Sequence, residues 1–334
     1  MTEEAYLLTA ITEAPNDDGP RLVYADWLLQ QDDEVARARG EYLALACSTT
    51  RSPKRTARLK ELLEKWETVW LGAIAPCIRE QTWARGFVDA CKLWENVPES
   101  LLGHPMWRTL RILQAETYGL AERVRVICQP ALENLRTLAT DLEAIEPIAS
   151  AQGPAQLPRM IELAILRSYP ARVPQDAVIP ILAGAACFTR VRRLHLDGGC
   201  TQAQLAALAR PDLALAVGTH AFNLERWIGE LDEIQAAYEE VRLVSEMRPL
   251  VARGGIELVI RRDGSARWSQ LEIRWTERDT ARRRNDVLQT LERLPRDRLT
   301  RVSFVGPTRA EFDVARWRAR IRTALRLQTT AVIE

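Results

Sequence analysis

A six-residue pattern, apolar-x-x-apolar-x-apolar, constrains this chain more than any other feature. It occurs as Trp107-x-x-Leu110-x-Ile112, Met160-x-x-Leu163-x-Ile165 and Val191-x-x-Leu194-x-Leu196. It returns as Tyr238-x-x-Val241-x-Leu243, Trp268-x-x-Leu271-x-Ile273 and Leu299-x-x-Val302-x-Phe304, with Leu132-x-x-Leu135 as a shortened copy. The steps from Leu110 through Leu135 and Leu163 to Leu194 are 25, 28 and 31 residues, and Leu271 and Val302 are again 31 apart. An apolar residue at every second position marks a short strand with one buried face. A step near 30 residues leaves room for one strand and one returning segment per unit. The spacing therefore predicts an α/β chain of repeated strands.

Pattern and period resemble the leucine-rich repeats, whose units run about 20–29 residues with one strand and one helical or 3₁₀ return. The Asn that usually closes the strand turn is absent, and Gly198-Gly199 replaces it in the best copy. The resemblance implies a degenerate leucine-rich-repeat-like array, a solenoid, over residues 100–220. Residues 221–250 break the pattern, with Leu224, Trp227, Ile228, Leu231 and Ile234 at helical spacing. Ile256-x-Leu258-x-Ile260 and Leu271-x-Ile273-x-Trp275 then alternate on either side of Asp263-Gly264, which predicts an antiparallel hairpin. A last helix is predicted over 309–327. Residues 221–334 read as a C-terminal α/β cap containing the hairpin and a basic helix.

The N-terminal 46 residues predict a small helical unit. Ala5, Leu7, Leu8 and Ile11 share a helical face over 3–13. Asp18 or Gly19 can cap a second helix that has Pro20 in its first turn, where the missing N–H costs nothing. Its apolar side is predicted as Leu22, Val23, Trp27 and Leu28, with Trp27 and Tyr24 as core and rim. Asp32-Asp33-Glu34 opens a third segment. The run Asp17-Asp18-Gly19-Pro20-Arg21-Leu22-Val23-Tyr24-Ala25-Asp26-Trp27-Leu28, followed by Arg39-Gly40-Glu41-Tyr42-Leu43, resembles the bacterial repeat-companion domain family. That family's motif reads D-D-x-P-R-L-V-Y-A-D-W-L, then R-G-E-F-I. Here Tyr42 replaces the usual Phe, and the connecting loop is acidic rather than carrying a Gly-Asp turn. The resemblance implies a helical unit joined to a repeat domain, often leucine-rich. The family has no established catalytic role, so no functional residue is carried over from it. Leu59, Leu62, Leu63, Trp66, Val69 and Trp70 mark an amphipathic helix over 51–71, and residues 47–99 are expected to supply bridging or capping helices.

Charge narrows the partners without naming one. The 334 residues carry a net +1, 47% are apolar and 27% charged, which excludes wholesale disorder. The ends differ: residues 1–46 hold 3 basic and 10 acidic residues, whereas 251–334 hold 19 Arg and 11 acidic residues. No apolar run approaches the roughly 18 residues that span a bilayer, so no membrane partner is expected. The acidic start, Met1-Thr2-Glu3-Glu4, is unlike a secretory signal. The six cysteines form no Cys-x-x-Cys pair and read as free thiols in a reducing cytoplasm.

Chemistry-bearing motifs are sparse. Of the three histidines, His104, His195 and His220, the first and last have no partner at a metal or triad spacing, and Gly198-Gly199, Gly254-Gly255 and Gly264 match no phosphate loop. Neither an enzyme activity nor a cofactor is expected. Asp17, Asp18, Arg21 and Asp26 read as a helix cap with a local Arg–Asp pair. The array offers a surface instead. Alternation places Thr109 and Arg111, Glu162 and Ala164, and Arg193, His195 and Asp197 on the outward, concave strand face, the usual binding face of such arrays. That predicts an adaptor or scaffold protein that binds another protein through this face. The rival reading is a nucleic-acid-associated adaptor. Arg318, Arg322 and Arg326 repeat at i, i+4, i+8, Arg316 and Arg320 lie beside them, and Trp317 could stack a base.

Overall fold

The computed structural model describes residues 2–50, 52–116, 119–150, 157–166, 175–185 and 188–196. It further describes 207–208, 210, 213–218, 240–244, 256–262, 268–275, 288, 301–305, 314–325 and 332–333. Its architecture is mixed α/β with parallel strands. The chain divides into two compact units, one of residues 1–139 with 150–160, the other of 140–149 with 161–334.

The first unit opens with four helices: α1 (Glu3–Glu13), α2 (Gly19–Leu29), α3 (Glu34–Cys47) and α4 (Pro53–Leu71). Each start has a side-chain reason. Thr2, Asp33 and Ser52 accept backbone N–H groups of α1, α3 and α4, and Pro20 and Pro53 sit in first turns that need no donor. At α2 the cap differs from the sequence expectation. Asp17 Oδ1 accepts the Gly19 N–H at 2.9 Å, while Asp18 makes no cap and turns to Arg85 instead.

The buried stripe of α2 is Arg21, Tyr24, Ala25 and Leu28, at i, i+3, i+4 and i+7. Leu22 and Val23 were expected inside and are exposed at 42% and 56%. Tyr24, expected at the rim, packs in the core with Ile11, Ala25, Leu28, Leu43 and Phe87. The Tyr24 hydroxyl donates to Glu4 Oε1 at 2.9 Å, which satisfies its polar tip and lets the ring go inside.

Residues 47–99 hold more than the expected helices. After α4 come β1 (Ile78–Ala84) and β2 (Phe87–Leu93), an antiparallel hairpin. Its two-residue loop, Arg85-Gly86, has positive φ at both positions, the geometry that matches hairpin twist. Phe87 delivers its ring to the helical core, so the N-terminal helices are completed by residues beyond position 46.

The unit continues through α5 (Pro105–Thr109), β3 (Ile112–Ala115), α6 (Leu120–Ile127) and β4 (Thr137–Asp141), whose last two residues fall in the second unit. β2 and β3 run parallel. Trp107, Leu110, Leu113, Leu132, Leu135 and Leu138 are fully buried, each contributing about 1.5–3 kcal/mol of transfer free energy.

In the second unit, α7 (Ile145–Ser150) precedes β5 (Glu162–Leu166), α8 (Gln175–Gly184), β6 (Arg193–Leu196), β7 (Ala214–Gly218) and β8 (Glu240–Val244). Strands β5 to β8 pair in sequence order, all parallel. β9 (Ile256–Arg262) is antiparallel to both β8 and β10 (Trp268–Trp275), which is the expected hairpin. β11 (Arg301–Val305) and β12 (Val332–Ile333) then resume parallel pairing around α9 (Val314–Leu325). The hairpin expected in a terminal cap is therefore internal to the sheet, because β10 offers a free edge to which β11 adds. Leu163, Ile165, Leu194, Leu196, Leu271, Ile273 and Val302 are buried, as the repeated pattern predicts.

Candidate functional site

Register builds the site in the second unit. Glu162 on β5 stands opposite Arg193 on β6, and His195 follows two residues on, so the three share a strand face. Leu163, Ile165, Leu194 and Leu196 bury the opposite face. The Glu162 carboxylate is held from two sides: His195 Nε2 lies 2.7 Å from Oε1, and Arg193 Nη1 lies 3.8 Å from Oε2. The Glu162 side chain is 15% exposed and that of Arg193 49%, so the acid is sheltered and the cation faces water.

The same arrangement recurs on the hairpin. Glu272 on β10 is 13% exposed and receives Arg261 of β9 at 2.7 Å and Arg274 from its own strand. Burial works to raise the Glu272 pKa, but hydrogen bonds and charge from Arg274 and Arg261 outweigh it and hold the group below the usual carboxylate value. Alternation around Leu271 and Ile273 made these outward positions readable, but the pairing across the hairpin was not.

Three expected face residues move. Thr109 is the last residue of α5, not a strand position, and its hydroxyl donates to Met106 O at 3.1 Å. Arg111 immediately precedes β3 and pairs with Asp89 of β2. In this copy the strand starts at the third apolar residue, because the Pro105 turn extends through Thr109 as helix. Ala164 is 2% exposed, since both faces of β5 are covered at that point. Asp197, Arg326 and His220 lie outside the described residues.

His195 with Glu162 is half of an acid–base unit. Among the described residues no Ser, Thr or Cys side chain hydrogen-bonds its ring, and no group of three metal-ligating side chains occurs. His104 instead caps α5, its Nδ1 accepting the Met106 N–H at 3.2 Å, and burial lowers its pKa.

On α9, Trp317 and Ile321 are buried while Arg316, Arg320 and Arg322 are exposed. Arg320 covers the Trp317 ring at 4.2 Å, so that face serves a cation rather than a base. Arg318 lies on the same helix, its side chain outside the described set. No helix among the described residues is long and apolar enough to cross a membrane.

Sequence reasoning missed a clamp in the first unit. Arg85 donates to Asp18 Oδ1 at 2.6 Å, to Asn16 O at 2.6 Å and to Pro15 O at 3.0 Å. Arg21 donates to Asp17 O and Pro15 O rather than to the expected carboxylate. The only signal was Arg-Gly between two apolar stretches, and Arg is not a usual I′ turn residue.

No family model matches the chain, and no curated protein or solved structure matches it either.

Proposed function

We propose that this chain is a non-catalytic interaction protein that binds a partner protein on the charged strand face of its second unit. The observation that carries the reading is Glu162, sheltered and held between His195 and Arg193 on adjacent strands. Such a surface is ordered before binding, so little side-chain entropy is lost on association. Two acids of this face are bracketed by basic groups, Glu162 by Arg193 and His195 and Glu272 by Arg261 and Arg274. That bias favours an acidic partner surface, since complementary potential sets specificity and on-rate.

Within this reading the parallel strands are a degenerate leucine-rich-repeat-like array, and the N-terminal helices are its repeat-companion unit. The setting is cytoplasmic, in keeping with the free thiols of Cys47, Cys77, Cys91 and Cys128. The competing adaptor reading rests on the exposed Arg316 and Arg322 of α9.

Affinity capture from native lysate, split into nuclease-treated and untreated halves, separates the two. Wild type is compared with Arg193→Glu and with Arg316→Glu/Arg322→Glu. The proposal expects a stoichiometric protein that survives nuclease, weakens with salt and is lost with Arg193→Glu. Equal capture by Arg193→Glu overturns it. Nucleic acid recovered by wild type and lost with the α9 double variant transfers the function to that helix.

A further inference from the structure

The first unit holds a separate cleft, open to solvent, among α1, α2, the β1–β2 turn, α5 and the start of β3. Arg21, Arg85, Arg108 and Arg111 line it, with Asp89 and Asn134. Four arginines thus meet two carboxylates, Asp89 already paired with Arg111 and Asp18 already paired with Arg85. Arg85 spends its three nitrogens on the 15–18 loop. Arg21 is 5% exposed, and its Nε is buried with no partner among the described residues. The Arg108 guanidinium is exposed and meets no described hydrogen-bond or ion-pair partner, while Asn134 fixes its backbone by donating to Arg108 O at 2.7 Å. Burial and the charge of Arg85 pull the Arg21 pKa down, with Asp18 acting against them.

We propose that this cleft binds a phosphate group, as inorganic phosphate or as the phosphomonoester end of a small molecule. A dianion matches the excess of positive lining better than a single carboxylate does. Several oxygens can accept from guanidiniums on three different chain segments, α2, α5 and the approach to β3. Arg85 and Arg21 position the wall, and Arg108 and Arg111 supply the donors that a ligand would newly engage.

Titration calorimetry on the full chain tests this with sodium phosphate, ribose 5-phosphate and sodium acetate at matched ionic strength. Arg108→Ala is the decisive variant, because Arg108 holds no part of the fold and the melting temperature checks that. The expected result is one phosphate site per chain, weakened about tenfold or more by Arg108→Ala, as the loss of a charge-assisted hydrogen bond implies. Tighter binding of ribose 5-phosphate supports a phosphomonoester ligand, and equal binding supports inorganic phosphate. No phosphate binding at about 10 mM, a range where even weak sites register, overturns the proposal. So does unchanged affinity in a folded Arg108→Ala protein, or acetate binding as well as phosphate. Broadening of the ³¹P resonance by wild type but not by Arg108→Ala gives an independent readout.

Discussion

Arg39 of α3 lies with its guanidinium carbon 4.7 Å from the centre of the Trp83 ring, on a strand 44 residues later in the chain. Trp70 and Phe87 close the same cage at 4.8 and 5.3 Å. Burial lowers the Arg39 pKa to about 10, so the cation remains charged near neutrality and draws on the ring faces. A side chain from the N-terminal helices is therefore housed by residues outside them. A fragment of residues 1–46 is expected to lack cooperative unfolding, whereas residues 1–160 fold. Circular dichroism melts of the two fragments check this, and a sharp transition in 1–46 would contradict it.

Gly40 marks the crossing of α3 over α2. A Cβ there would stand 2.7 Å from Ala25 O and 2.9 Å from Leu29 Cγ. Leu29 can swing aside, but the Ala25 carbonyl belongs to a helix backbone. Gly40→Ala is expected to destabilise the first unit by about 1–3 kcal/mol, the usual cost of overpacking. Denaturant unfolding measures it, and a stability equal to wild type would show that the helices can separate freely.

Glu272 makes stability depend on acid. Its folded pKa lies below the ordinary value of 4.5, so the unfolded chain takes up the proton first. The contribution is present above that ordinary value and is lost as pH falls through the folded one. Glu272→Gln removes the carboxylate to which Arg261 and Arg274 both donate and is expected to cost about 1–3 kcal/mol at neutral pH. The gap between wild type and variant should close as pH drops below the ordinary Glu range. A gap that stays constant across an acid series of melts would remove the charge from the explanation.

Cys91 is completely buried, and burial pushes its thiol up to about 12. Thiolate is the reactive form, so the native protein should leave Cys91 unlabelled by a disulfide reagent at pH 8 and expose it in guanidinium. Peptide mapping after labelling identifies the site. Rapid native modification of Cys91 would mean that the β2 region opens readily.

Tyr42 titrates late for the same reason, burial raising its pKa to about 12. Its raised value means that the unfolded chain ionises first above pH 10, so stability should fall as alkali is added. Tyr42→Phe lessens that dependence, and buried Tyr24, whose pKa is raised in the same way, keeps the remainder. Melts between neutrality and pH 11 test it, with equal alkaline loss in both proteins as the contrary result.

Local rules were enough for elements whose signal is confined to neighbouring residues. The start of α3 at Asp33-Glu34, the span of α4, and the β9–β10 hairpin follow from donors and acceptors a few residues apart and from short-period alternation. The buried Leu163–Ile165 and Leu194–Leu196 pairs follow from the repeated pattern in the same way, and with them the place of Glu162, Arg193 and His195. Long-range packing ruled elsewhere. Leu22 and Val23 look as apolar as any core residue, yet the face of α2 that meets Phe87 and Leu43 is the one carrying Arg21 and Tyr24. Arg85 and Asp18 are 67 positions apart, and nothing in either neighbourhood announces the pair. Hydrophobicity is a property of one residue, but which apolar residue is buried, and which carboxylate a guanidinium reaches, depends on the surface that folding brings against it.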